Sequence, residues 1–153
     1  MTDSEPPANV FDDVKIERQG EILIDKWGEF GSMDAIKDDL FLFVIEAHGV
    51  IEELTTKAIC QNIIDDSYSS DAFNYVYSDM SQYHREKLLS QCGILDETLP
   101  NSLDDFRGLR NQIAHNRGRN IDWEGDNVEE TIREAIDTVA ALHEVAYQTE
   151  SRE

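Results

Sequence analysis

The sequence predicts an all-α fold: an antiparallel four-helix bundle over residues 32–149, with a segment at 10–31 able to add a helix at the N-terminal side. Three observations carry this. Apolar residues recur at three- and four-residue steps over long stretches. Cap residues and glycines fall at the ends of those stretches. The connections between them are short, which favours antiparallel neighbours. A chain of 153 residues suits one domain with a core that needs no disulfide or metal to hold it.

Taken in order, residues 1–9 hold two prolines and no periodicity, and read as a disordered lead. In 10–31, Val14, Ile22, Leu23, Ile24, Trp27 and Phe30 permit an amphipathic helix, while Gly20 and the alternation at Ile22 and Ile24 weigh against it. From Met33 to Ile64, Leu40, Val44, Ala47, Ile51, Leu54 and Ala58 define the strongest helix, with Ser32 as its N-cap. A turn-rich linker from Asp65 to Ser70 leads to a second helix, Ala72 to Cys92, closed by Gly93 at the C′ position. A third helix opens at Asn101 or Ser102 after Pro100 and runs to about Asn116, with Leu103, Phe106, Leu109 and Ile113 spaced for burial. A polar loop from Gly118 to Gly125 precedes the fourth. There Asp126 and Glu129 stand at capping-box spacing ahead of Val128, Ile132, Ala135, Ile136, Val139, Leu142, Val145 and Ala146. Residues 150–153 form a disordered tail.

The formal net charge is −20, from 33 acidic and 13 basic residues, so most of the surface should repel nucleic acid. The acids are scattered through every segment and only five of the bases are Lys. That pattern suits a halophilic protein from a high-salt cytoplasm, where screening blunts self-repulsion; an acidic DNA mimic would line its charges along one face. Against this background, Phe106 to Ile121 contains Arg107, Arg110, Arg117, Arg119 and His115 and no acid. Cys60 and Cys92 lie far apart, without metal-ligand spacing, and fit a reducing compartment. No early apolar run resembles a signal peptide and no stretch is long enough to span a bilayer, so a cytoplasmic location is expected. Asp65 to Asp71 lacks the glycine and closing Glu of a calcium loop, and no phosphate-binding glycine loop is present. Neither cofactor nor metal is expected.

The chemistry concentrates in Arg110-Asn111-Gln112-Ile113-Ala114-His115. On a helix, positions 110 and 115 are about 140° apart, with Arg107, Asn111 and Ala114 in the arc between them. Arg offers a permanent planar fork for phosphate, and His exchanges protons near neutrality. Together they suit a phosphodiester. The plainer alternative has Arg110 bound to a neighbouring carboxylate and His115 facing solvent. His48 and Glu52 share a helix face at i, i+4 and read as a solvated ion pair. His84 and His143 read as surface or packing residues.

The hexapeptide resembles the R-x4-6-H signature of the HEPN superfamily, in the form with Asn after the Arg and Ala before the His. The upstream stretch Phe43 to Leu54 is similar to the long helix of several HEPN families, including the mannitol-operon repressor-like group. The resemblance covers roughly residues 34–147. It implies a helical bundle that acts as a homodimer, each subunit giving one Arg/His pair to a shared cleft. It also implies a metal-independent endoribonuclease, a toxin or defence effector, with RNA as substrate and an antitoxin or regulatory protein as partner. By this likeness His115 is the general acid or base and Arg110 holds the scissile phosphate. Asn111 orients the substrate or fixes the interface, Arg107, Arg117 and Arg119 bind flanking phosphates, and Glu52, with His48, supports the pair. HEPN toxins paired with nucleotidyltransferase antitoxins carry a Tyr two residues after the His; here that position is Arg117, a departure from that pairing. The same resemblance admits a non-catalytic dimerisation or regulatory module that binds a protein on this face.

Overall fold

The computed structural model describes residues 8–31, 33–64, 69–116 and 125–147, with side chains at 14–31, 35–64, 69–111, 113 and 128–147. Among the described residues there are six α-helices and no strand: α1 (Ala8–Phe30), α2 (Met33–Ile59), α3 (Ser70–Asp79), α4 (Gln82–Gln91), α5 (Leu99–Asn116) and α6 (Gly125–Tyr147). α2 ends in a π-helical turn, Cys60–Ile64, where Asn62 Nδ2 donates to the carbonyls of Ala58 (2.9 Å) and Val145 (3.4 Å).

α2 is the axis of the molecule and packs against every other helix. Its predicted face, Leu40, Val44, Ala47, Ile51, Leu54 and Ala58, is buried throughout. The most extensive packing joins α1, α2 and α6, so the segment at 10–31 is a full core partner rather than an addition to a four-helix set. α6 meets it with Val128, Ile132, Ala135, Val139, Leu142 and Ala146, all buried at three- and four-residue steps. α1 contributes Ile16 and Leu23, with Gly20 between them. A Cβ at Gly20 would stand 2.6 Å from Ile136 Cδ1 and 3.0 Å from Ile132 Cγ2. The missing side chain therefore sets how closely α1 approaches α6. The glycine that weighs against a helix by propensity is the reason this one packs.

Two helix ends rest on glycine in the left-handed region. Gly31 (φ 60°) donates its N–H to the Trp27 carbonyl at 2.8 Å and closes α1. Gly93 (φ 75°) donates to Ser90, and Ile94 donates to Leu89, the paired bonds of a Schellman motif that closes α4 as expected.

The expected single helix from Ala72 to Cys92 is instead two. Met80 is extended (φ −95°, ψ 136°), and Ser81 caps α4 by accepting the His84 N–H at 3.2 Å. Ser69 caps α3 in the same way through Ala72. α5 starts earlier than Asn101 or Ser102. The Asp96 carboxylate accepts the N–H groups of Thr98 (3.0 Å) and Leu99 (2.9 Å), leaving Pro100 in the first turn, where it has no N–H to waste. The Ser32 cap, the Asp126 side chain, most of the loop after Asn116, residues 1–7 of the lead and the tail lie outside the described residues, while Ala8 and Asn9 belong to α1. Among the described residues no helix is long and apolar enough to cross a membrane.

Replacing Gly20 with Val puts branched carbon into the α1–α6 contact. The expected loss is about 1–3 kcal/mol, measured as a lower denaturant midpoint at high salt with an unchanged slope.

Candidate functional site

The buried face of α4 is polar: Gln82, Arg85 and Glu86 precede Leu89 at helical spacing. Arg85, only 2% exposed, turns its fork toward the end of α3. Nη1 donates to the carbonyls of Val76 (3.1 Å), Tyr77 (3.0 Å) and Met80 (2.5 Å), while Nε and Nη2 donate to Gln82 Oε1 at 3.0 and 2.8 Å. Carbonyls orphaned at a helix C-terminus carry the negative end of its dipole, so a guanidinium there both caps α3 and fixes α4 beside it. Glu52 Oε2 on α2 lies 3.9 Å from Arg85 Nη2. Burial lowers the Arg85 pKa, and Glu52 opposes that shift.

His48 lies one turn before Glu52 on α2 and is 4% exposed, so the solvated ion pair is corrected. Its Nδ1 is 3.8 Å from Glu52 Oε2, beyond hydrogen-bond distance. Burial lowers its pKa to about 4, helped by the charges of Arg110, Arg107 and Arg85. The imidazole is therefore neutral at pH 7, and its Nε2 is buried without a partner. Arg110 of α5 is near enough for its charge to act on His48. Around the α5 axis it falls between Leu103 and Phe106, both buried, which draws its stem inward. Its Nε is buried and unpartnered, while Nη1 donates to Asn111 Oδ1 at 3.3 Å.

His48 and Glu52 are thus side by side, Arg85 stands 3.9 Å from Glu52, and Arg110 is near enough for its charge to act on His48. Arg107 is otherwise engaged: it pairs with Glu86 and with Asp104, and its guanidinium lies 5.2 Å from the Tyr83 ring centre. The fork expected to grip flanking phosphate is committed to two carboxylates of its own chain. Glu86 is itself buried, its pKa raised by that burial, with hydrogen bonding from Gln82 and the Arg107 charge opposing. Arg107 also lines a cleft of about 380 Å³ between α4 and α5 with Tyr83, Lys87 and Asp104. Arg117, Arg119 and the His115 side chain lie outside the described residues; position 115 belongs to α5, about 140° around the axis from 110.

A cavity of about 790 Å³ lies elsewhere, walled by Trp27, Asp96, Glu129, Glu130, Glu134 and Asp137 among others. It holds none of the candidate residues and its acids repel phosphate. Among the described residues no group of three or more His, Cys, Asp or Glu is placed to hold a metal ion. Sequence reading missed Arg85, Gln82 and Glu86. The signal available was their spacing with Leu89, which has helical period but the wrong polarity for a search that tracks apolar residues.

Arg85→Ala should cost about 3–5 kcal/mol, because it strips a buried network of its central charge; Arg85→Lys should recover only part, since an ammonium lacks the fork. His48 supplies a pH signature. Between its ordinary value of 6.5 and about 4, the unfolded chain binds a proton that the folded chain refuses, so stability falls as pH drops through that window. The contribution is at most about 3 kcal/mol. Glu86, with its raised pKa, acts in the opposite sense, weakening the fold as pH rises. The stability of the parent relative to His48→Leu should therefore rise from pH 4 to 7, read as the difference between their denaturant midpoints, and a difference that does not change with pH would show that His48 is not held neutral. Set against known proteins, the chain matches no family model, no curated protein and no solved structure.

Proposed function

We propose that this protein is a metal-independent endoribonuclease of HEPN type, a toxin or defence effector that acts on RNA as a homodimer. One observation carries the reading. Arg110 has no carboxylate partner among the described residues, although the chain's formal net charge is −20. A guanidinium anchored by its stem and left without a carboxylate is suited to an anion from outside. The acid-free stretch from Phe106 to Ile121 surrounds it. Tyr83, nearly half exposed, adds support: Lys87 Nζ and the Arg107 guanidinium lie 5.5 and 5.2 Å from its ring centre, a stacking surface flanked by cations of the kind that holds single-stranded bases.

In this reading a ribose 2′-OH attacks the adjacent phosphorus and the P–O5′ bond breaks, leaving a 2′,3′-cyclic phosphate and a 5′-OH. His115 transfers the proton. Arg110 balances the charge that builds on the phosphorane oxygens, and Asn111, bonded to Arg110, keeps its orientation. Two α5 helices meeting across a two-fold axis would give the cleft one Arg/His pair from each subunit. A second reading, a non-catalytic HEPN-like dimerisation or regulatory module, is favoured by one observation: Arg107, one turn from Arg110, is spent on Glu86 and Asp104.

The test is cleavage of single-stranded RNA at high salt in EDTA. Cyclic-phosphate ends are expected, with DNA untouched because it lacks the 2′-OH. His115→Ala and Arg110→Ala should each lower the rate about 10²-fold or more, and Tyr83→Ala should weaken RNA binding more than turnover. Equal cutting of DNA, or full activity in His115→Ala, would reject the mechanism. A dimer that never cuts RNA leaves the module reading.

A further inference from the structure

On the opposite flank of α2, its contact with α1 leaves a groove of about 170 Å³ lined by Gln19, Ile22, Leu23, Asp39, Leu42, Phe43 and Glu46. This is below the roughly 300–1,000 Å³ of small-molecule sites and nearer the size of one long side chain. Two of its lining residues carry oxygen acceptors that are buried and unpartnered, Gln19 Oε1 and Glu46 Oε1. Buried acceptors without donors are costly and uncommon. The groove's other carboxylate shows what relieves such a site: Asp39 is paired with Lys26 Nζ at 3.0 Å. Among the described residues no cation pairs with Glu46 in this way. Lys15 lines a neighbouring cavity on the far side of Glu46 but forms no bond to its buried oxygen. The rim is apolar and uncovered, with Ile22 52%, Leu42 56% and, one turn along α2 from Leu42, Ile45 40% exposed.

We propose that the α1/α2 groove is a docking site for a partner protein's amphipathic helix, which inserts one Lys or Arg between Gln19 and Glu46 and lays apolar neighbours on Ile22, Leu42 and Ile45. The inserted cation donates to both orphan oxygens, and the flanking apolar residues cover the rim. The chain's net charge of −20 steers a basic segment toward this surface. The groove and the Arg110 site share α2 but no lining residue, so either stands without the other.

The probe is a set of helical Leu/Ala peptides, each with a central Arg at a different register from its leucines, compared with the same peptides carrying citrulline in place of the Arg. Binding is read by fluorescence anisotropy at molar salt, where general attraction to an acidic surface is screened. At least one register should bind the parent protein, and citrulline should weaken it tenfold or more. Glu46→Gln, nearly the same shape, should do likewise, as should Leu42→Asp, while Asp137→Asn on α6 should change nothing. Equal binding of Arg and citrulline peptides, equal losses for Glu46→Gln and Asp137→Asn, or no binding at any register would each overturn the proposal. If Leu42→Asp unfolds, the citrulline and Glu46→Gln comparisons still decide.

Discussion

The arrangement depends on one buried guanidinium. Arg85 binds the carbonyls of Val76, Tyr77 and Met80 around the end of α3, and so supports the break and turn of the chain there. It binds Gln82, which in turn donates to Glu86 Oε2 at 3.0 Å, and Glu86 holds Arg107 of α5. Its charge, with those of Arg107 and Arg110, reinforces the burial that keeps His48 neutral. A cation in the interior is tolerated only when its hydrogen bonds are satisfied. Here they are satisfied by the end of α3 and the Gln82 amide on α4, with the Glu52 carboxylate of α2 3.9 Å away as a counter-charge. α3, α4 and α2 are therefore positioned by a single side chain.

The molecule separates its charges by depth. Acids dominate the exterior, whereas Arg85, buried, and Arg107 and Arg110, half-buried, bring their charges to bear on His48 of α2 from α4 and α5. Salt screens the exterior strongly and buried pairs much less. Ionic strength therefore adjusts surface self-repulsion and the approach of partners while leaving the Arg85 network largely unaffected. A site placed at the boundary between these regions, as Arg110 is, feels both.

The bundle is legible in the sequence where burial tracks apolar period, as along Leu40 to Ala58 and Val128 to Ala146. It is less legible in α1. There Ile22, Leu23 and Ile24 stand in a row but only Leu23 is fully buried, and the tightest approach is made by a glycine. The break at Met80 leaves no apolar signal, because the residue that compensates it, Arg85, comes five positions later and acts through hydrogen bonds. For the site, the Arg110 hexapeptide stands out in the sequence, and the structure puts His48 within reach of the Arg110 charge, with Glu52 beside His48. Burial of His48 is not readable, since a histidine four residues from a glutamate looks the same on a wet face as on a dry one.

The π-helical turn after Ile59 has a consequence for chain length. Such a turn holds one residue more than an α-helical turn, and here the surplus lets Asn62 reach across to Val145 on α6. Loss of one codon within residues 60–64 would convert the turn to ordinary helix and rotate the downstream chain by about 100°, taking Asn62 off α6. Leu40 to Ala58 would keep their phase. The turn is thus a joint at which loss of one codon changes the direction in which the chain leaves α2 without disturbing the phase of the core helix that precedes it.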